Sequence, residues 1–100
     1  MTIKVLGYYL AGASYSHGAF TVRAGHVYTL VVNGTGRRPI YYDAEVYPGR
    51  PHKRDNAFHR AGPARWTLGV YMQPSLRTHR YWNIGVRIGG TMHVLKIRVV

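Results

Sequence analysis

The order of residues in this chain predicts an all-β fold, a single antiparallel β-sandwich of about seven strands. Apolar residues recur at every second position in short runs, and turn residues interrupt those runs about every 8 to 12 positions. No stretch carries the 3.6-residue period of an amphipathic helix, so a parallel sheet with helical crossovers is not expected. A small Greek-key barrel would satisfy the same pattern. With 100 residues, residues 1–100 make one domain around one core.

The pattern is cleanest near the end of the chain, where Leu95, Ile97 and Val99 alternate with Lys96 and Arg98, the period of a half-buried strand. Before it, Trp82, Ile84, Val86 and Ile88 fall on one face and Tyr81, Asn83, Gly85 and Arg87 on the other. Gly89-Gly90 between them suits a tight hairpin with positive φ angles, so these two strands pair antiparallel. Trp66, Leu68, Val70 and Met72 alternate with Arg65, Thr67, Gly69 and Tyr71 until Pro74 ends the run. The segment from Pro39 to Tyr47 puts Ile40, Tyr42, Ala44 and Val46 inward and Tyr41, Asp43, Glu45 and Tyr47 outward.

In the first half, Tyr28, Leu30 and Val32 share one face, and Val27, Thr29 and Val31 the other. Being apolar on both faces, that strand is central, and Asn33-Gly34 reads as the hairpin turn that closes it. Phe20 and Val22 form a short strand turned by Ala24-Gly25, and Thr2 to Leu10 supplies a first strand with an ambiguous register. Two segments read as irregular: Ala11 to Gly18, and the basic, proline-containing loop from Gly49 to Pro63.

Composition narrows the partner more than the chemistry. Fourteen Lys and Arg against three acidic residues give a formal net charge of +11, a field that attracts phosphate, anionic lipid or an acidic protein surface. Arg far outnumbers Lys, which suits planar, stacked contacts at interfaces and equally fits a hot habitat. There is no cysteine, so packing alone must hold the fold, without disulfide or thiolate zinc. The opening Met1-Thr2-Ile3-Lys4-Val5-Leu6 is too short and too polar for a signal or membrane-spanning segment.

Catalysis finds little support. Three carboxylates, no thiol and only Ser14, Ser16 and Ser75 among serines leave no nucleophile elbow. Asp43 and Glu45 on one strand face suit pairing with an Arg of a neighbouring strand better than general acid and base. His17, His26, His52, His59, His79 and His93 never stand at i, i+2 or i, i+4 spacing, so no metal, cofactor or small-molecule substrate is expected. Asn33-Gly34-Thr35 matches a glycosylation triplet, although its turn role explains it as well.

Two surface features remain. One is an outward set of Tyr41, Tyr47, Tyr71 and Tyr81 interleaved with Arg65, Arg87, Lys96 and Arg98, able to pack against protein or to stack on bases. The other is a basic loop with Arg50, Lys53, Arg54 and Arg60, and phosphate contact is its natural use. No RNP motif, GXXG loop or recognition helix accompanies them.

The runs Phe20-Thr21-Val22-Arg23-Ala24-Gly25 and Val27-Tyr28-Thr29-Leu30-Val31-Val32-Asn33-Gly34 are similar to early strands of immunoglobulin-like and fibronectin type III-like modules, and Tyr81 to Val100 resembles their closing hairpin. That resemblance implies an adhesion, filament, appendage or virion subunit, at the surface of a virion or outside the cell. The expectation is therefore a non-enzymatic assembly protein whose partners are copies of itself. Thr2 to Leu10 would be available to add to a neighbour's sheet edge. The alternative is a nucleic-acid-binding module using the basic loop and the Tyr/Arg face.

Overall fold

The computed structural model describes residues 7–45, 53–78 and 81–100, with the side chains of residues 44, 45, 77 and 78 outside that description. Within them the chain is a two-layer β-sandwich of ten strands: β1 (Gly7–Ala11), β2 (Ser14–Ser16), β3 (Ala19–Val22), β4 (Val27–Asn33), β5 (Ile40–Glu45), β6 (Lys53–Arg54), β7 (His59–Gly62), β8 (Arg65–Tyr71), β9 (Trp82–Ile88) and β10 (Thr91–Val99). One sheet has four strands in the order β1-β4-β8-β7, the other six in the order β2-β3-β10-β9-β5-β6. A short 3-10 helix, Pro74–Thr78, links β8 to β9.

Alternation sorts side chains between core and surface as the hydrophobic period requires. Leu10, Leu30, Val32, Trp66 and Met72 face inward from the four-stranded side, and Val22, Ile84, Val86, Leu95, Ile97 and Val99 from the other. Each fully buried aliphatic side chain contributes about 1.5–3 kcal/mol, so these interleaved positions dominate the stability. β4 is central to its sheet, and its outward Val31 is still only 2 % exposed. Gly89 and Gly90 have φ of 57° and 92°, the positive values of a two-residue turn that joins β9 to β10 in antiparallel register.

Several expectations need correction. Tyr41 is 6 % exposed and stands opposite buried Val86, while Tyr42 stands opposite Gly85 on the outer face. The phase of β5 is therefore one residue from the expected one, and Tyr41 is no outward contact. A Tyr-Tyr doublet satisfies either register, and only packing against β9 selects one. A register shift between Tyr42 and Glu45 turns the strand beyond it.

Asn33-Gly34 closes no hairpin, because β4 and β5 belong to different sheets. Gly34 instead donates its N–H to the Ala64 carbonyl at 2.8 Å at the start of a crossover. The segments read as irregular contain β2, β6 and β7, strands too short and polar to announce themselves. Of the expected first strand, residues 7–10 lie in β1 and residues 2–6 are outside the described residues. One pairing is parallel, β3 with β10. The whole intervening chain serves as its crossover, so no helix is needed.

Candidate assembly and polyanion surfaces

The structure divides the Tyr and Arg residues between two opposite faces. Tyr81, Arg87, Lys96 and Arg98 gather on the outer face of the six-stranded sheet, because β9 and β10 turn Ile84, Val86, Leu95 and Ile97 inward. The Lys96 ammonium lies 5.0 Å from the centre of the Tyr81 ring. The Arg87 guanidinium lies 6.0 Å from the centre of the Tyr42 ring and donates from Nη1 to the Gly90 carbonyl at 3.0 Å. Among the described residues no carboxylate pairs with Arg87, Lys96 or Arg98. A cation over an aromatic face keeps its remaining donors toward solvent, the arrangement that meets phosphate or a polar protein rim.

Tyr71 and Arg65 lie instead on the outer face of the four-stranded sheet. In register across β1, β4, β8 and β7, that face reads Tyr9, Val31, Thr67 and His59 in one row and Ala11, Thr29 and Gly69 in the next, with Val27 opposite Tyr71 and Arg65 opposite Asn33 at the two ends. Val27 is 66 % and Tyr71 52 % exposed. Among the described residues Arg65 is its one formal cation at neutral pH, at the margin. Tyr47 and Arg50 lie outside the described residues.

Among the described residues the basic loop is divided between the edges of two sheets. Lys53 and Arg54 are in β6 at an edge of the six-stranded sheet, and Arg60 is in β7 at an edge of the other. Lys53 pairs with Asp55 at 3.4 Å, and Arg54 Nε donates to Asp43 Oδ2 at 3.2 Å. Arg60 lies over the Trp66 indole at 4.5 Å. Lys53, Arg54 and Arg60 thus each make a contact within the domain. Asp43 with Arg54 is the cross-strand pair anticipated for that carboxylate.

A cleft of about 450 Å³ runs along this edge, lined in part by Tyr41, Asp43, Arg54, His59, Tyr71 and Gln73. Burial, and secondarily the Asp43 carboxylate, raise the Tyr41 phenol well above its ordinary range, against a lowering by Arg54. No serine, threonine or cysteine among the described residues lines the cleft. No group of three or more His, Asp or Glu stands close enough to hold a metal ion among the described residues, and no helix there is long and apolar enough to cross a membrane.

Sequence reasoning missed a third feature. A hollow of about 490 Å³ lies beside β10, lined by Tyr8, Tyr9, Tyr15, Gly18, Phe20, Val94, Leu95 and Lys96, with the rings of Tyr15 and Phe20 4.7 Å apart. The signal was in reach: Met92 and Val94 occupy the same strand phase as Lys96 and Arg98, yet are apolar and exposed. Comparison with protein-family models, with curated proteins and with solved structures finds no match to this chain. What these surfaces do must therefore be argued from their own residues.

Proposed function

We propose that this protein is a non-enzymatic, repeating subunit of a structural assembly such as a filament, an appendage or a virion coat, and that copies associate through sheet faces. One observation carries the reading: in a chain of net charge +11, one broad face is almost free of charge among the described residues. Like-charged copies repel at separations within a Debye length of about 8 Å at physiological salt, so close approach is favoured where no cation stands. The outer face of the four-stranded sheet offers that approach, with Tyr9, Val27 and Tyr71 for contact. Tyrosine brings large contact area at low rotamer cost. The resemblance to immunoglobulin-like and fibronectin type III-like subunits supports the same reading, at the level of fold.

Sedimentation velocity over a concentration series tests it. The chain should associate, and Thr29→Arg, which adds a cation at the centre of the exposed face, should raise the apparent dissociation constant by about tenfold or more without altering the melting temperature. A monodisperse monomer at every concentration would overturn the proposal.

A second reading, contact with a polyanion, is favoured by Arg87, Lys96 and Arg98 on one face beside Tyr42 and Tyr81. Binding to a single-stranded oligonucleotide should then weaken by orders of magnitude between about 50 and 200 mM salt. Lys96→Gln with Arg98→Gln should reduce the salt slope by about 1.4, at about 0.7 for each phosphate that is no longer neutralised. Salt-independent binding, or none, removes this reading.

A further inference from the structure

We propose that the cleft between the edges of the two sheets, around Tyr41, Asp43 and Arg54, binds a neutral saccharide. The inference goes beyond self-association and does not rest on it.

The fold brings unlike hydrogen-bonding groups to one place. Tyr41 stands opposite Arg54 across β5 and β6, so both side chains leave the sheet on the same side, and Asp43 follows Tyr41 at the strand period. Tyr71 ends β8 and Gln73 lies just beyond it, and all five residues line the cleft. Its volume of about 450 Å³ falls within the about 300–1,000 Å³ of ligand pockets.

The Tyr41 hydroxyl marks the cleft as a site. The residue is 6 % exposed, yet among the described residues no group hydrogen-bonds its phenol oxygen. That oxygen is not walled in, because His93 Nε2 is the one enclosed side-chain N or O atom without a partner among the described residues. With Tyr41 lining the cleft, its hydroxyl opens there. Burial keeps the phenol protonated, so it is a donor as well as an acceptor. Polar groups this deep in a fold are paired, and one that opens on a cleft takes its partner from water or a ligand.

Charge and chemistry select the ligand. Asp43 and Arg54 carry opposite formal charges that cancel, so the cleft adds no net attraction for an anion, even in a chain of net charge +11. Arg54 Nε donates to Asp43 Oδ2 at 3.2 Å, which leaves the two Nη groups as donors and Oδ1 as acceptor toward the cleft. A saccharide hydroxyl is donor and acceptor at once. Neighbouring hydroxyls on one ring can donate to Asp43 and Tyr41 while accepting from Arg54 and the Gln73 amide. The Tyr71 ring, 52 % exposed, offers its negative face to the C–H groups of a sugar, the attraction that also sets aromatic rings edge to face.

The edge of β8 adds backbone groups to this set. Met72 donates its N–H to the His26 carbonyl at 2.9 Å and accepts from the Gly25 N–H at 2.6 Å, so residue 72 turns its backbone toward β4. By alternation Gly69 and Tyr71 turn theirs the other way. β7 pairs with β8 only from Arg65 to Thr67, so beyond it these N–H and C=O groups face the cleft that both residues line.

The test applies the full-length protein to an array of neutral and sulfated oligosaccharides of glucose, galactose, mannose and N-acetylglucosamine. The strongest neutral binder is then titrated by calorimetry. Neutral members should be retained, with a dissociation constant that changes less than about twofold between about 50 and 500 mM salt. Tyr41→Phe and Gln73→Ala should each raise that constant by about three- to tenfold, at an unchanged melting temperature. Retention of no neutral member, or of sulfated members alone, would overturn the proposal, and so would neutral binding that neither substitution weakens. Should Tyr41→Phe lower the melting temperature, Gln73→Ala, at an exposed position, decides alone. Self-association is judged separately, on its own concentration series.

Discussion

The guanidinium of Arg60 lies 4.5 Å from the centre of the Trp66 indole ring, and the same group donates to the Pro63 carbonyl at 3.1 Å and the Gly36 carbonyl at 3.2 Å. Trp66 in turn donates from Nε1 to the Thr35 carbonyl at 3.0 Å, and Arg38 lies 5.5 Å from the same ring. The pair ties the crossover after β4 to the turn between β7 and β8. Arg60→Ala should destabilise the domain by about 1–2 kcal/mol by removing the stack and the forked donors. Arg60→Lys should recover less than half of that, since an ammonium cannot reach two carbonyls in a plane. Thermal unfolding followed by circular dichroism measures both, and equal stability of Arg60→Ala and the unaltered chain would remove the clamp.

Tyr41 predicts an alkaline limit. Its phenol stays protonated in the fold above the ordinary value of about 10, because burial disfavours the phenolate. In the unfolded chain it ionises near 10, so between the two values the unfolded state binds fewer protons. Its contribution is whole below about pH 10 and falls by about 1.4 kcal/mol per pH unit above it, up to the folded-state value. Tyr41→Phe should flatten the decline of stability between about pH 10 and 11 in urea titrations. An unchanged slope would refute the assignment.

Gly85 is a steric prediction. A Cβ there would stand 3.1 Å from Met92 Sδ and 3.1 Å from Tyr42 Cβ. The thioether can move aside, but Tyr42 Cβ is fixed by its backbone on the neighbouring strand. A Gly→Ala change at an unstrained strand site stabilises by about 0.4–1 kcal/mol, whereas Gly85→Ala should destabilise by about 1–2 kcal/mol. Chemical denaturation gives the sign directly.

His93 Nε2 is buried without a hydrogen-bond partner, its ring 4.9 Å from that of Tyr8 and tilted by 47°. An unmade hydrogen bond of this kind costs about 1–3 kcal/mol, and an apolar replacement of similar volume avoids it. His93→Leu should raise the urea midpoint by the equivalent of about 1 kcal/mol once the missing ring stacking is discounted. A lower midpoint would mean that the imidazole has a partner in solution.

The two-residue period of Leu95, Ile97 and Val99, the phase of Trp82 to Ile88 and the Gly89-Gly90 turn determined the sandwich class and its closing hairpin, because burial acts on alternate side chains wherever the chain extends. The central place of β4 was legible for the same reason, in the double-sided apolar run of Val27 to Val32. Local pattern could not decide which strands share a sheet. Asn33-Gly34 has the chemistry of a hairpin, yet the chain crosses there to the other layer, since Ile40 and Tyr41 pack on β9. Nor could pattern decide the phase of the Tyr41-Tyr42 doublet, where either ring fits a core and only the neighbour chooses. The charged and aromatic surface was visible as composition, but its division into a basic face with Lys96 and Arg98 and a face with Tyr9 and Tyr71 whose one cation among the described residues is Arg65 follows from pairings between residues far apart in the chain, which only the tertiary structure decides.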